Sequence, residues 1–106
     1  MTIASRYIFV VAMDVAPEKE ALFHEVYDSE HIPYLMEVPG VHAVSRAEAE
    51  PFALAIGGTT EPKPAASPRF VAIYEIDDPD VLASDAWSAA VERGRWASEV
   101  RPFTSN

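Results

Sequence analysis

Two stretches of this chain are apolar on both alternating faces, and that limits the folds open to it. Tyr7-Ile8-Phe9-Val10-Val11-Ala12-Met13 is β-branched and aromatic, with no polar alternation. Residues 69–76 come close to the same pattern, with Phe70, Ala72 and Tyr74 on one face and Val71, Ile73 and Glu75 on the other. A strand wetted on one side alternates apolar with polar residues, whereas a strand covered on both sides does not. The first run is far too short to span a membrane and is closed by Asp14. Two sheet faces must therefore be covered by a chain of only 106 residues, a length that supports one domain.

The segments between these runs supply helices, a second strand and a loop. Pro17 suits a first helical turn, where its missing N–H does no harm, and Glu18 and Glu20 suit the positive helix end. A helix is expected from Pro17 to about Glu30, with Leu22, Val26 and Ser29 on one edge of its inner face and Phe23, Tyr27 and Glu30 on the other. Pro33 biases Ile32 away from helical dihedrals. That predicts a kink near His31-Ile32, a short helical piece to Val38 and a turn at Pro39-Gly40. Residues 41–49 read as a bulged strand. Residues 51–68 carry Pro51, Pro62, Pro64, Pro68 and Gly57-Gly58 without a period. They read as a long surface loop, or as a loop holding a short helical turn around Pro51-Ala55. Asp78 and Pro79 read as an N-cap and first helical residue, with helical spacing to about Glu92 and a C-cap at Gly94. Glu99 to Thr104 reads as a short last strand.

The order is β-α-β-β-α-β, which predicts a ferredoxin-like α+β domain: an antiparallel four-stranded sheet with both helices on one face. The other face still needs a cover, and the simplest is a second copy. Two sheets face to face would make a dimeric α/β barrel.

Charge and cysteine content remove whole classes of function. Eight Lys and Arg stand against 17 Asp and Glu, a net charge of −9. Phosphate backbones and anionic bilayer surfaces repel such a chain, so neither nucleic acid nor membrane is an expected partner. Cysteine is absent, which removes disulfides, thiolate nucleophiles and cysteine-bound metals. No secretory signal is read at the N-terminus, so a cytoplasmic domain is the expectation.

The densest polar cluster is His24-Glu25-Val26-Tyr27-Asp28-Ser29-Glu30-His31. On a helix His24, Asp28 and His31 share one stripe. Two imidazoles and a carboxylate could ligate a divalent metal, but a solvated acidic face accounts for the same residues, and no metal or other cofactor is expected. His31 has a separate case as a general acid/base. It sits where the helix is expected to break, with Asp28 and Glu30 close in sequence to orient its ring. A capping or surface histidine is the plainer alternative. Tyr27, Tyr34, Tyr74, Trp87 and Trp96 are candidate walls of an apolar pocket, or plain core. Arg93, Arg95 and Arg101 could attract an acidic ligand group, and pair more simply with their acidic neighbours.

The stretch from Phe23 to Pro33, containing Tyr27-Asp28-Ser29-Glu30-His31-Ile32-Pro33 and leading into Val38-Pro39-Gly40-Val41, resembles the EthD-like family of the dimeric α/β-barrel superfamily. The family's motif begins with Trp where this chain has Val26. Residues 69–82 resemble the family's third strand and second helix start. The resemblance implies a ferredoxin-like protomer, a homodimer and a cavity between sheet and helices. Any catalytic role carried over would fall on Tyr27, Asp28, Glu30 and His31.

The functional expectation is a pocket for a small apolar, aromatic or polyketide-like molecule, with cofactor-free lyase, cyclase or isomerase chemistry. His31 would move a proton and Asp28 or Glu30 would orient it, with Tyr27, Tyr74, His24 and Trp87 contacting the substrate. A non-enzymatic binding protein and a cofactor-independent monooxygenase are the alternatives.

Overall fold

A computed structural model describes residues 3–105. Its first strand, β1 (Tyr7–Val15), leads through a 3₁₀ turn at Pro17–Lys19 into α1 (Glu20–Val26). The chain continues through a π-helical turn at Tyr27–His31 into α2 (Ile32–Met36) and then β2 (Val41–Glu48). A hairpin follows, β3 (Phe52–Ile56) and β4 (Thr59–Lys63), and then β5 (Phe70–Ile76). The C-terminal part holds a 3₁₀ turn at Pro79–Ala83, α3 (Asp85–Ala90), a second π turn at Trp96–Val100, a 3₁₀ turn at Arg101–Phe103 and β6 (Thr104–Ser105).

The fold is mixed α+β. Four strands form an antiparallel sheet in the order β2–β5–β1–β6, and β3 and β4 form a separate two-stranded sheet. The four-stranded, antiparallel arrangement is compatible with the ferredoxin-like expectation. The register slips between Val41 and Ala43, where the bulge was expected. Phe70, Ala72, Tyr74 and Ile76 of β5 are buried and pack with Phe23, Val26, Tyr27 and Leu35. This helix-covered face holds the core.

The opposite face is bare. The register places Ile8, Val10 and Ala12 of β1 beside Val71 and Ile73 of β5, and Ala43, Ser45 and Ala47 of β2 beyond them. Ile8 and Val10 are 45% and 52% exposed. Two charged residues of these three strands have this parity: Glu75 is buried and accepts from the backbone N–H groups of Ala4 and Ser5, and Asp14, near the end of β1, accepts from Arg69 N–H. No helix among the described residues is long and apolar enough to cross a membrane.

Three expectations are corrected. Residues 51–68 are not structureless: Gly57 and Gly58 both have positive φ (62° and 85°), the backbone a two-residue hairpin turn demands. Pro62 fits because β4 has one neighbour and spare N–H positions. The last strand is only Thr104–Ser105, because most of residues 99–104 lie in helical turns. The helix does not break at His31-Ile32: Ile32 is helical (φ −62°, ψ −49°), and its N–H donates to the Tyr27 carbonyl across a widened turn. The expected N-cap at Asp78 holds, its side chain accepting from Asp80 N; Ser84 caps α3 in the same way, accepting from Trp87 N.

Gly94 lets the second π turn approach the first. Its φ is +69°, and a Cβ there would lie 2.5 Å from Glu30 Oε1 and 2.8 Å from the Tyr34 ring. Gly94→Ala should cost about 1–2 kcal/mol from the left-handed backbone alone, before the contacts are counted. A thermal melt should then show Tm lower by roughly 5 °C or more; an unchanged Tm would show that this turn relaxes freely.

Candidate functional site

Both π turns have the same local cause. Pro33 and Pro102 follow two residues after His31 and Val100, the ends of the two turns. Proline offers no N–H and its ring presses on the carbonyl four residues back, here that of Ser29 or Ser98. Widening the preceding turn relieves that contact without ending the helix, and π turns recur at functional positions. Ser29 adds a bond of its own, from Oγ to the Glu25 carbonyl at 2.6 Å. The two turns pack against each other and carry Tyr27, His31 and Trp96 inward.

These residues border a cavity of about 210 Å³ between the sheet and the C-terminal turns. Phe9, Val11, Met13 and Tyr74 line its sheet side, Tyr27 and His31 one wall, and Trp87, Trp96 and Arg101 the other. The Tyr27 and Tyr74 hydroxyls meet at 2.6 Å, one donating to the other. Burial raises the pKa of both phenols, so each stays protonated at neutral pH. Trp87 stands edge-on to Phe9 and Tyr74, with centroids 6.1 and 5.5 Å apart.

His31 is 5% exposed and stacks on Trp96, with centroids 4.3 Å apart and planes 17° from parallel. The edge of Tyr27 meets it at 5.0 Å. Its Nδ1 is buried without a hydrogen-bond partner. Burial, with the Arg101 guanidinium adding to it, holds the imidazole down at about 4, so the ring is neutral at pH 7. A buried nitrogen left unpaired costs on the order of 1–3 kcal/mol, and such exceptions concentrate at working sites.

The structure thus brings together Tyr27, His31, Tyr74 and Trp87, but not Asp28, Glu30 and His24. Glu30 accepts from Arg95 N at 2.9 Å and Arg95 Nε at 2.6 Å, and these bonds hold its carboxyl below the usual range. Asp28 pairs with Arg46 at 2.8 Å. His24 Nδ1 meets the other arm of Arg46 at 2.7 Å and borders a separate shallow cleft with Glu48 and Phe70. Neither carboxylate orients His31, because neighbours one and three positions away on a widened turn point elsewhere and distant arginines claim them. No three His, Asp or Glu side chains among the described residues converge as metal ligands. Trp96 appeared in the sequence only as a generic aromatic. Arg101 appeared only as part of a basic segment, and nothing local marked it as a cavity residue.

No protein-family model, curated protein or solved structure matches this chain.

The His31 environment sets a pH dependence whose sign can be worked out. The imidazole titrates near 6.5 in the unfolded chain and at about 4 when folded. Above pH 6.5 both states are neutral there and the group adds no slope. Between 6.5 and 4 the unfolded state takes a proton that the folded state refuses, so stability falls as pH falls, by about 3 kcal/mol in all. His31→Phe keeps a ring against Trp96 and removes the orphan nitrogen. Urea melts across this range should show the slope in the wild type and lose it in the variant, with stability at pH 7 equal or higher. A slope that persists in His31→Phe assigns the titration to another group.

Proposed function

We propose that this protein is a small-molecule-pocket enzyme of the EthD-like kind, acting without a cofactor on a small aromatic or polyketide-like compound by proton transfer. The observation that carries the reading is the neutral, buried, unpaired His31 on an aromatic-walled cavity shared with the Tyr27–Tyr74 hydroxyl pair. A neutral imidazole can accept a proton, and protonated phenols can donate a hydrogen bond to the oxygen on which charge develops. With a ketone bound, His31 takes the proton beside the carbonyl. The C–H electron pair moves to form an enolate, whose oxygen accepts from a Tyr hydroxyl. Return of the proton at another position would be an isomerisation, and attack of the enolate carbon on a second carbonyl a cyclisation.

Deuterium exchange tests this directly. In D₂O, wild-type protein should speed label uptake at the benzylic CH₂ of 2-tetralone, followed by NMR, and His31→Gln should slow it by roughly 10²-fold or more. Binding of 2-tetralone without faster exchange would replace the enzyme by a carrier. One observation favours that second reading, namely that no carboxylate orients His31.

The same reading includes a homodimer through the bare sheet face. Its support is the continuity of Ile8, Val10, Ala12, Val71 and Ile73 in a chain of net charge −9, with Glu75 already tied to backbone. Light scattering at micromolar concentration should give about twice 11.6 kDa, and Val10→Glu should halve it while leaving far-UV circular dichroism unchanged. A wild-type monomer would remove the barrel.

A further inference from the structure

The cavity is sorted by charge. The chain has 17 carboxylate side chains, and none lines the cavity. The cation that does line it is Arg101, while Tyr27, His31 and Tyr74 are neutral beside it. This concave, aromatic surface of an acidic protein thus carries a guanidinium and no carboxylate of its own.

Arg101 is held in place but not used up. Its Nη1 and Nη2 donate to the two oxygens of Glu92 at 3.0 and 2.9 Å, and Nη2 also donates to the Val91 carbonyl at 2.7 Å. Guanidinium has five N–H donors. Among the described residues these bonds engage three, so Nε–H and one Nη1–H remain. The Arg101 side chain is 42% exposed, which places this charge at the mouth of the cavity while Trp96 and His31 lie deep. A ligand whose flat apolar body stacks among Phe9, Trp87 and Trp96 would bring its outer end to the guanidinium.

We propose that the ligand is a small aromatic acid, its ring in the cavity and its carboxylate on Arg101, with Arg101 the residue that selects it. The proposal rests on the reading of this cavity as a small-molecule site. It assigns Glu92 a role as well: this carboxylate fixes the guanidinium and competes with the ligand's anion for it.

The two tryptophans of the chain, Trp87 and Trp96, both line the cavity, so intrinsic fluorescence reports occupancy. The probes are 2-naphthoate and its neutral counterpart 2-naphthamide, titrated at pH 7 with calorimetry in parallel. Wild-type protein should bind the carboxylate at least roughly tenfold more tightly than the amide, the scale of one charge-assisted contact. Arg101→Gln should abolish that preference while leaving amide binding in place. Glu92→Gln should strengthen carboxylate binding about twofold or more and leave the amide unchanged, which a merely structural Arg101 would not produce. Equal affinities for acid and amide in the wild type would overturn the anion site and leave the cavity reading standing. Binding of neither, with unchanged fluorescence, would overturn both. Should Arg101→Gln fail to fold, Glu92→Gln decides alone: carboxylate binding unchanged or weakened makes Arg101 a structural pin and ends the proposal.

Discussion

Pro33 and Pro102 each withhold an N–H from a helical turn and press a ring toward the carbonyl four residues earlier. In each case the chain answers by widening the preceding turn rather than stopping. The cavity depends on this response. The first widened turn sets Tyr27 and His31 on one inward face; the second sets Trp96 against His31 and delivers Arg101 directly after it. Gly94 brings the turns close, and Glu30 ties them by gripping Arg95 through backbone and side chain. Local backbone chemistry thus becomes tertiary packing, and the packing shapes the site.

The energetic character of the site follows. Most buried polar groups in this protein are partnered: the two tyrosine hydroxyls have each other, and Glu75 has two backbone donors. Among the described residues, His31 Nδ1 is the exception. A ring serving only as filler would be better replaced by phenylalanine, which stacks equally well and leaves nothing unpaired. Retaining an imidazole there is a cost in stability, and such costs are characteristic of sites that act on a ligand.

Much of the architecture was legible because it rests on local signals. The two-sided apolar runs marked the central strands β1 and β5, and Asp78-Pro79 marked a helix start. The hairpin at 52–63 was hidden because its prolines suggested irregular chain, whereas Gly57-Gly58 was the stronger signal. Within the site, Tyr27, His31, Tyr74 and Trp87 were readable as aromatic or titratable candidates from their residue types and neighbours. The partners of Asp28 and Glu30 were not, because Arg46 and Arg95 reach them from other parts of the chain. Closeness along a helix was mistaken for closeness in space. Pro33 likewise suggested a kink between two helical pieces, where the chain instead continues through a wider turn.

The widened turn at Tyr27–His31 takes in one residue more than an α turn over nearly the same sweep round the axis. Asp28 and Ser29 face outward or bond locally, and other side chains could stand in their places. Removing either one would let the turn close to ordinary spacing with α1 and α2 still in phase, so His31 would keep facing Trp96. An added residue has no such outlet: at ordinary spacing it would turn everything after it by about 100° relative to α1. Among chains descended from this one, the cavity should therefore survive a one-residue gap between Tyr27 and His31 and be lost with a one-residue insertion there.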